Sequence, residues 1–194
     1  MKTIYIALLL ISYFSFSQNK KDWFFGTEIG NNTITSSNLS NKNSFQGGFL
    51  TEYYFANHWS VIARLKYFKT STTNNAQTGY FDGAVISIPL NLKWEYRITN
   101  KLKGNLIMGL ALNKEVKNDY YYTPNEKTDY ATFFGTFNTG FGFSYFLNNR
   151  TALFTNYEVY VLGNSKDNQN SLNILPNSTN NNLFNVGIKH NFKK

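Results

Sequence analysis

The side chains most able to do chemistry are few. His58 and His190 are the two histidines in a chain of 194 residues, and cysteine is absent. Imidazole is the usual general base and metal ligand near neutral pH. A hydrolytic or metal site would therefore need one of these histidines or a cluster of carboxylates. Asp119, Glu126, Asp129 and Asp167 are scattered, and Lys114, Lys117, Lys127 and Lys166 flank them. Acids dispersed among lysines read as solvated charge, not as a paired acid–base site or an oxygen cage for calcium. Without cysteine there is no disulfide framework, thiolate metal site or lipid-modified cysteine. The Tyr120-Tyr121-Tyr122 run could form a contact surface, because exposed tyrosines favour binding. The preferred reading is that it extends the outer band of aromatic residues. No catalytic, cofactor-binding or metal-binding residue emerges, and the chain reads as a non-enzyme.

Charge points the same way. The formal net charge is +8, a value that raises nucleic acid as a partner. The basic residues are spread thinly, however, with pairs only at Lys20-Lys21 and Lys193-Lys194. Anionic lipid headgroups and lipopolysaccharide phosphates suit that distribution better. Nucleic acid is not expected.

Two kinds of element are visible. Residues 1–17 have the layout of a cleaved signal peptide, with Lys2, an apolar Ile4–Ile11 core and a small-x-small end at Ser15-Phe16-Ser17. The apolar run is short of the ~20 residues a membrane helix needs. The mature domain is then 18–194. From Asp22 onward the hydropathy alternates with period two, over segments at about 22–30, 44–55, 59–69, 82–97, 101–114, 130–146, 151–162 and 182–192. Three connections are short, around 56–58, 98–100 and 147–150. Four are long and polar, about 31–43, 70–81, 115–129 and 163–181.

Sorting by parity separates two faces. One carries Phe25, Ile29, Phe49, Val61, Leu65, Leu90, Leu92, Leu106, Leu110, Phe137, Phe141, Val159, Val186 and Ile188. The other carries Glu28, Glu52, Arg64, Lys66, Lys93, Glu95, Arg97, Glu158 and Lys189. Asn91, Asn138, Asn156, Asn185 and repeated glycines lie between them. A soluble barrel would alternate as strictly with its apolar face inward. Three features favour the apolar face outward. Trp23, Tyr53, Trp59, Trp94, Tyr96, Tyr145 and Phe192 gather near the short connections, as an interfacial girdle requires. Acids and bases are mixed with glycine on the polar face, which suits a narrow interior filled by side chains. The usual lipocalin opening motif, disulfides and terminal helix are missing. The expectation is an all-β, eight-stranded, antiparallel up-and-down transmembrane barrel, with short periplasmic turns and long extracellular loops. The nine ionic residues form an ion-pair plug in its interior.

The chain resembles the small outer-membrane β-barrel proteins of Bacteroidota, including those described as PorT-like. The resemblance rests on the Phe14-to-Gln18 signal end, the opening strand Trp23–Gly30, and Ile88-Pro89-Leu90-Asn91-Leu92-Lys93-Trp94. It also rests on Gly135–Tyr145 and the closing Val186–Phe192 strand. Phe192 is followed by Lys193-Lys194, whereas barrels of this kind usually finish on the aromatic. The resemblance implies a Gram-negative outer membrane, with the lipid bilayer and lipopolysaccharide as partners. It also implies a structural or surface-interaction role. The alternative it carries is an accessory component or porin-like conduit for secretion, tied to the type IX system and its cell-envelope proteins.

Overall fold

The computed structural model describes residues 21–35, 39–40, 43–74, 79–122, 133–162 and 180–192. The expected signal segment, Glu126, Lys127, Asp129, Lys166 and Asp167 lie outside the described residues. Among the described residues there are nine strands: β1 Asp22–Thr35, β2 Leu39–Ser40, β3 Asn43–Tyr54, β4 Trp59–Asn74, β5 Gly79–Arg97, β6 Leu102–Tyr122, β7 Phe133–Phe146, β8 Thr151–Leu162 and β9 Asn180–His190. β2 is a two-residue strand on the end of β4. The other eight form the wall.

Each long strand pairs antiparallel with its neighbours in the chain. β1 also pairs with β9, and that seam closes the sheet into a cylinder. Closure matters because a sheet in hydrocarbon cannot leave an edge of unpaired backbone. Side chains alternate accordingly. Along β7 the residues run exposed and buried in turn from Phe133 to Phe146, with Phe134 and Gly140 half-buried. Leu110 is 68% exposed and its neighbour Ala111 is 2% exposed.

The outward residues are the apolar set. Phe25, Ile29, Phe49, Leu65, Leu90, Leu106, Leu110, Phe137, Phe141, Val186 and Ile188 are all exposed. A soluble protein rarely shows contiguous apolar patches above a few hundred Å², and here they surround the molecule. No helix among the described residues is long and apolar enough to cross a membrane.

The strands outrun the sequence-based segments at one end. β4 runs to Asn74, β5 starts at Gly79 and β6 continues to Tyr122, whereas 70–81 and 115–129 read as loops. Asp119 and Tyr120–Tyr122 therefore belong to β6, opposite Asp82, Phe81, Tyr80 and Gly79. Alternation fades there because Thr70-Ser71-Thr72-Thr73 is polar on both faces. Thr and Tyr nevertheless favour strands, and the backbone ladder continues. A bulge at Ala84/Val85, with Val116 as the extra residue opposite, marks where this ribbon leaves the wall.

Candidate functional site: a sealed ionic interior

The interior is layered. At the short-turn end Phe24, Tyr54, Phe146 and Ala152 form a buried aromatic floor. Above it lie Glu52, Lys93, Glu95 and Lys189, then a band of Leu50, Ile62 and Phe154. Next come Glu28, Arg64, Lys66 and Glu158, capped by Phe68, Val85, Ala111, Tyr160 and Leu183.

The lower ionic layer is a closed ring of contacts. Lys189 Nζ lies 2.7 Å from Glu52 Oε2 and 3.8 Å from Glu95 Oε1. Lys93 Nζ lies 2.6 Å from Glu95 Oε1 and also meets Glu52. The Ser60 hydroxyl donates to Glu52 at 2.6 Å. The Tyr54 hydroxyl donates to Glu95 at 2.9 Å and accepts from Lys189 at 2.9 Å. Lys103 reaches Glu95 Oε2 at 3.5 Å from the edge of this layer. All three lysines also lie over aromatic rings, with Lys189 5.2 Å from the centre of Phe24.

The upper layer is built in the same manner. Lys66 Nζ spans Glu28 at 2.8 Å and Glu158 at 3.2 Å. Arg64 meets Glu158 at 3.0 Å and Glu28 at 3.7 Å. Asn185 donates to Glu158 at 2.9 Å, and the Tyr160 hydroxyl donates to it at 3.3 Å. Lys66 is 1% exposed and Glu158 is fully buried. Burying such charges is costly unless each is paired; all four are, although Glu28 is held by its ion pairs to Lys66 and Arg64 without a hydrogen bond.

Register explains the glycines. Lys66 pairs with Gly48, Lys189 with Gly26, and Glu158 with Gly140, while Glu28 sits between Gly48 and Gly187. A Cβ at Gly140 would strike the Tyr157 carbonyl oxygen and the Glu158 Cγ. The missing side chain is the space the long neighbour occupies. On the outer surface Gly104 lies beneath the Tyr96 ring, its register partner. Tyr96 therefore covers a gap as well as facing the interface.

Eight of the nine predicted interior residues meet in these two layers. Arg97 is the correction. It is the last residue of β5 and is exposed. Parity alone placed it inside, but the strand has already reached the mouth. Sequence reasoning also missed Tyr54, Tyr160, Ser60 and the apolar layers. All share parity with the ionic residues, a signal that could have placed them.

The girdle residues Trp23, Tyr53, Trp59, Trp94, Tyr96, Tyr145 and Phe192 all lie on the outside near the short turns. The Trp23 and Tyr53 rings are 4.7 Å apart, Trp94 and Tyr96 5.4 Å, and Phe25 and Phe192 6.0 Å. His58 Nδ1 contacts the Glu95 carbonyl at 2.9 Å, and His190 Nδ1 contacts the Thr151 hydroxyl at 2.9 Å. Each histidine ties a strand end to its neighbour. No group of three metal-ligating side chains occurs among the described residues.

Space inside is minimal. Between the ionic layers lies a void of about 10 Å³, lined by Leu50, Glu52, Arg64, Lys93 and Asn156 among others. That is room for one water at most.

A closed cylinder, oily outside and salt-bridged within, defines a membrane-spanning β-barrel. The chain belongs to the outer membrane protein beta-barrel domain family, whose pattern matches residues 4–192. Its place is accordingly the outer membrane. No curated protein sequence matches it. Among solved structures it is similar to Neisserial surface protein A, with a TM-score of 0.67 at 14% identity, covering 90% of this chain and 100% of that one. It is also similar to Ail, the attachment invasion locus protein of Yersinia pestis, crystallised with the heparin analogue sucrose octasulfate. There the TM-score is 0.58 at 13% identity, covering 90% and 100% of the two chains. OprG from Pseudomonas aeruginosa gives 0.57 at 14% identity, covering 92% and 100%. Identities this low establish a shared fold and no shared activity.

Proposed function

We propose that the protein is a non-enzymatic outer-membrane barrel that acts as a structural and surface-interaction protein, through the end bearing the β4–β5–β6 ribbon. The observation that carries this reading is the filled interior. A void of about 10 Å³ between two ion-pair layers leaves the outer rim, not the lumen, to meet other molecules. The ribbon supplies the surface. β6 continues from Glu115 to Tyr122 beyond the point where β7 begins, opposite Lys114. At ~3.3 Å per residue and a barrel tilt of 35–45°, it stands on the order of 20 Å above that rim.

In this reading residues 1–17 are removed on export, the short turns face the periplasm and the ribbon faces outward. A similar barrel, Ail, was crystallised with a heparin analogue, so sulfated glycans are the first ligands to try. The test replaces residues 71–82 and residues 115–132 each with a two-residue turn, between register partners Thr70 and Gly83 and between Lys114 and Phe133, and compares binding of heparin and of whole cells. A truncated barrel that still shows a heat-dependent gel shift, yet binds as the intact chain does, would overturn the proposal.

The runner-up is an accessory role in secretion of the PorT-like, type IX kind. Its conduit form gains nothing from the filled lumen. Its subunit form predicts co-purification with cell-envelope secretion proteins from the native host.

A further inference from the structure

We infer that the short-turn mouth carries a basic collar that selects acidic glycerophospholipid headgroups in the leaflet around it. This goes beyond the proposed surface role and rests only on the barrel lying in a bilayer.

Lys21, Arg97, Lys101 and Arg150 are all exposed at this mouth. Lys21 precedes β1, Arg97 and Lys101 bound the β5–β6 turn, and Arg150 ends the β7–β8 turn. In the strand order of the barrel these three sites are spread around the ring, not gathered on one side. Asp22 is the one carboxylate among the described rim residues there, because Glu52 and Glu95 are buried within the lower layer. That layer adds no compensating negative charge: Lys93, Lys103 and Lys189 face Glu52 and Glu95. The opposite end is mixed. There Lys69, Lys114 and Lys117 accompany Asp82 and Glu115, and Lys117 is bound to Asp82 at 2.6 Å.

Depth fixes the partner. The collar lies directly beyond Trp23, Trp59, Trp94, Tyr96 and Tyr145, rings that settle at headgroup level. Cations one step further out meet lipid phosphates and not the hydrocarbon. A soluble acidic partner would need no such ring at a single depth. Each lysine or arginine at a charged membrane surface is worth roughly a fivefold preference when screening is weak, and less at physiological salt.

The test uses the full barrel in phosphatidylcholine bilayers containing spin-labelled phosphatidylglycerol or spin-labelled phosphatidylcholine. The readout is the fraction of each label held at the protein boundary. The wild type should prefer the acidic label by at least about threefold in 0.1 M salt, with the preference lost in 1 M salt. R97Q/K101Q/R150Q should abolish it. K69Q/K114Q, at the other end, should not. Inorganic phosphate at millimolar concentration should not compete. Equal boundary fractions for the wild type, or an equal loss in both variants, would overturn the collar. A barrel that holds neither label would instead overturn the membrane reading itself. The salt series on the wild type decides the matter even if a variant misfolds.

Discussion

Glu158 shows at the scale of one residue how the interior is kept. It receives Arg64, Lys66, Asn185 and Tyr160. Replacing it with Gln leaves two cations facing Glu28 alone. Breaking a buried pair by removing one partner costs ~3–5 kcal/mol. E158Q should lower the unfolding free energy of the refolded barrel, read from urea titration, by that amount, and a change under 1 kcal/mol would show the cluster to be wet. The neighbouring Gly140 supplies a packing test. G140A must move either the Tyr157 backbone or Glu158, so it should cost ~1–3 kcal/mol in the same measurement. The ionic residues were legible in the sequence because charge in an alternating strand has one plausible side. Tyr54, Phe24 and Phe154 were not. An aromatic residue flanked by aromatics, as in Trp23-Phe24-Phe25, carries no contrast from which to read its face. Arg97 failed for the opposite reason: parity holds past the point where the wall ends.

At the scale of elements, the eight long strands were visible as alternation, and their short turns as three polar breaks. Strand ends at the ribbon were hidden, since a stretch wet on both faces loses its period while keeping its ladder. β5 makes the point. Pro89 sits in mid-strand facing inward, without a backbone donor. Yet register with β4 resumes at Ser87↔Lys66. The ribbon beyond Val116 is a separable element on this account. Replacing residues 71–82 and 115–132 each with a tight turn takes away no contact of the two ionic layers. The shortened chain should keep its heat-dependent gel mobility and its urea midpoint within ~1 kcal/mol, the range of surface changes.

The whole molecule is a solid rod more than a tube. About eight strands leave an interior just wide enough for side chains, and here aromatic and ionic layers alternate from floor to cap. In planar bilayers the purified protein should show no steady conductance steps in 1 M KCl. Thinning one layer, for instance with R64S/E158S, should introduce them. Stable openings in the wild type would mean the layers part. Fold class was readable at this scale because one rule governs every strand, whereas the choice of inward and outward faces needed the clustering of Trp23, Trp59 and Trp94 at one end.

The seam between β1 and β9 has a consequence for biogenesis. The first strand of the wall waits for the last, so no partial wall can seal itself. Until then the outward Phe49, Leu110 and Phe137 belong to an open sheet with two unpaired edges. The cylinder closes only once Asn180–His190 is available, which makes β9 the timing element of closure.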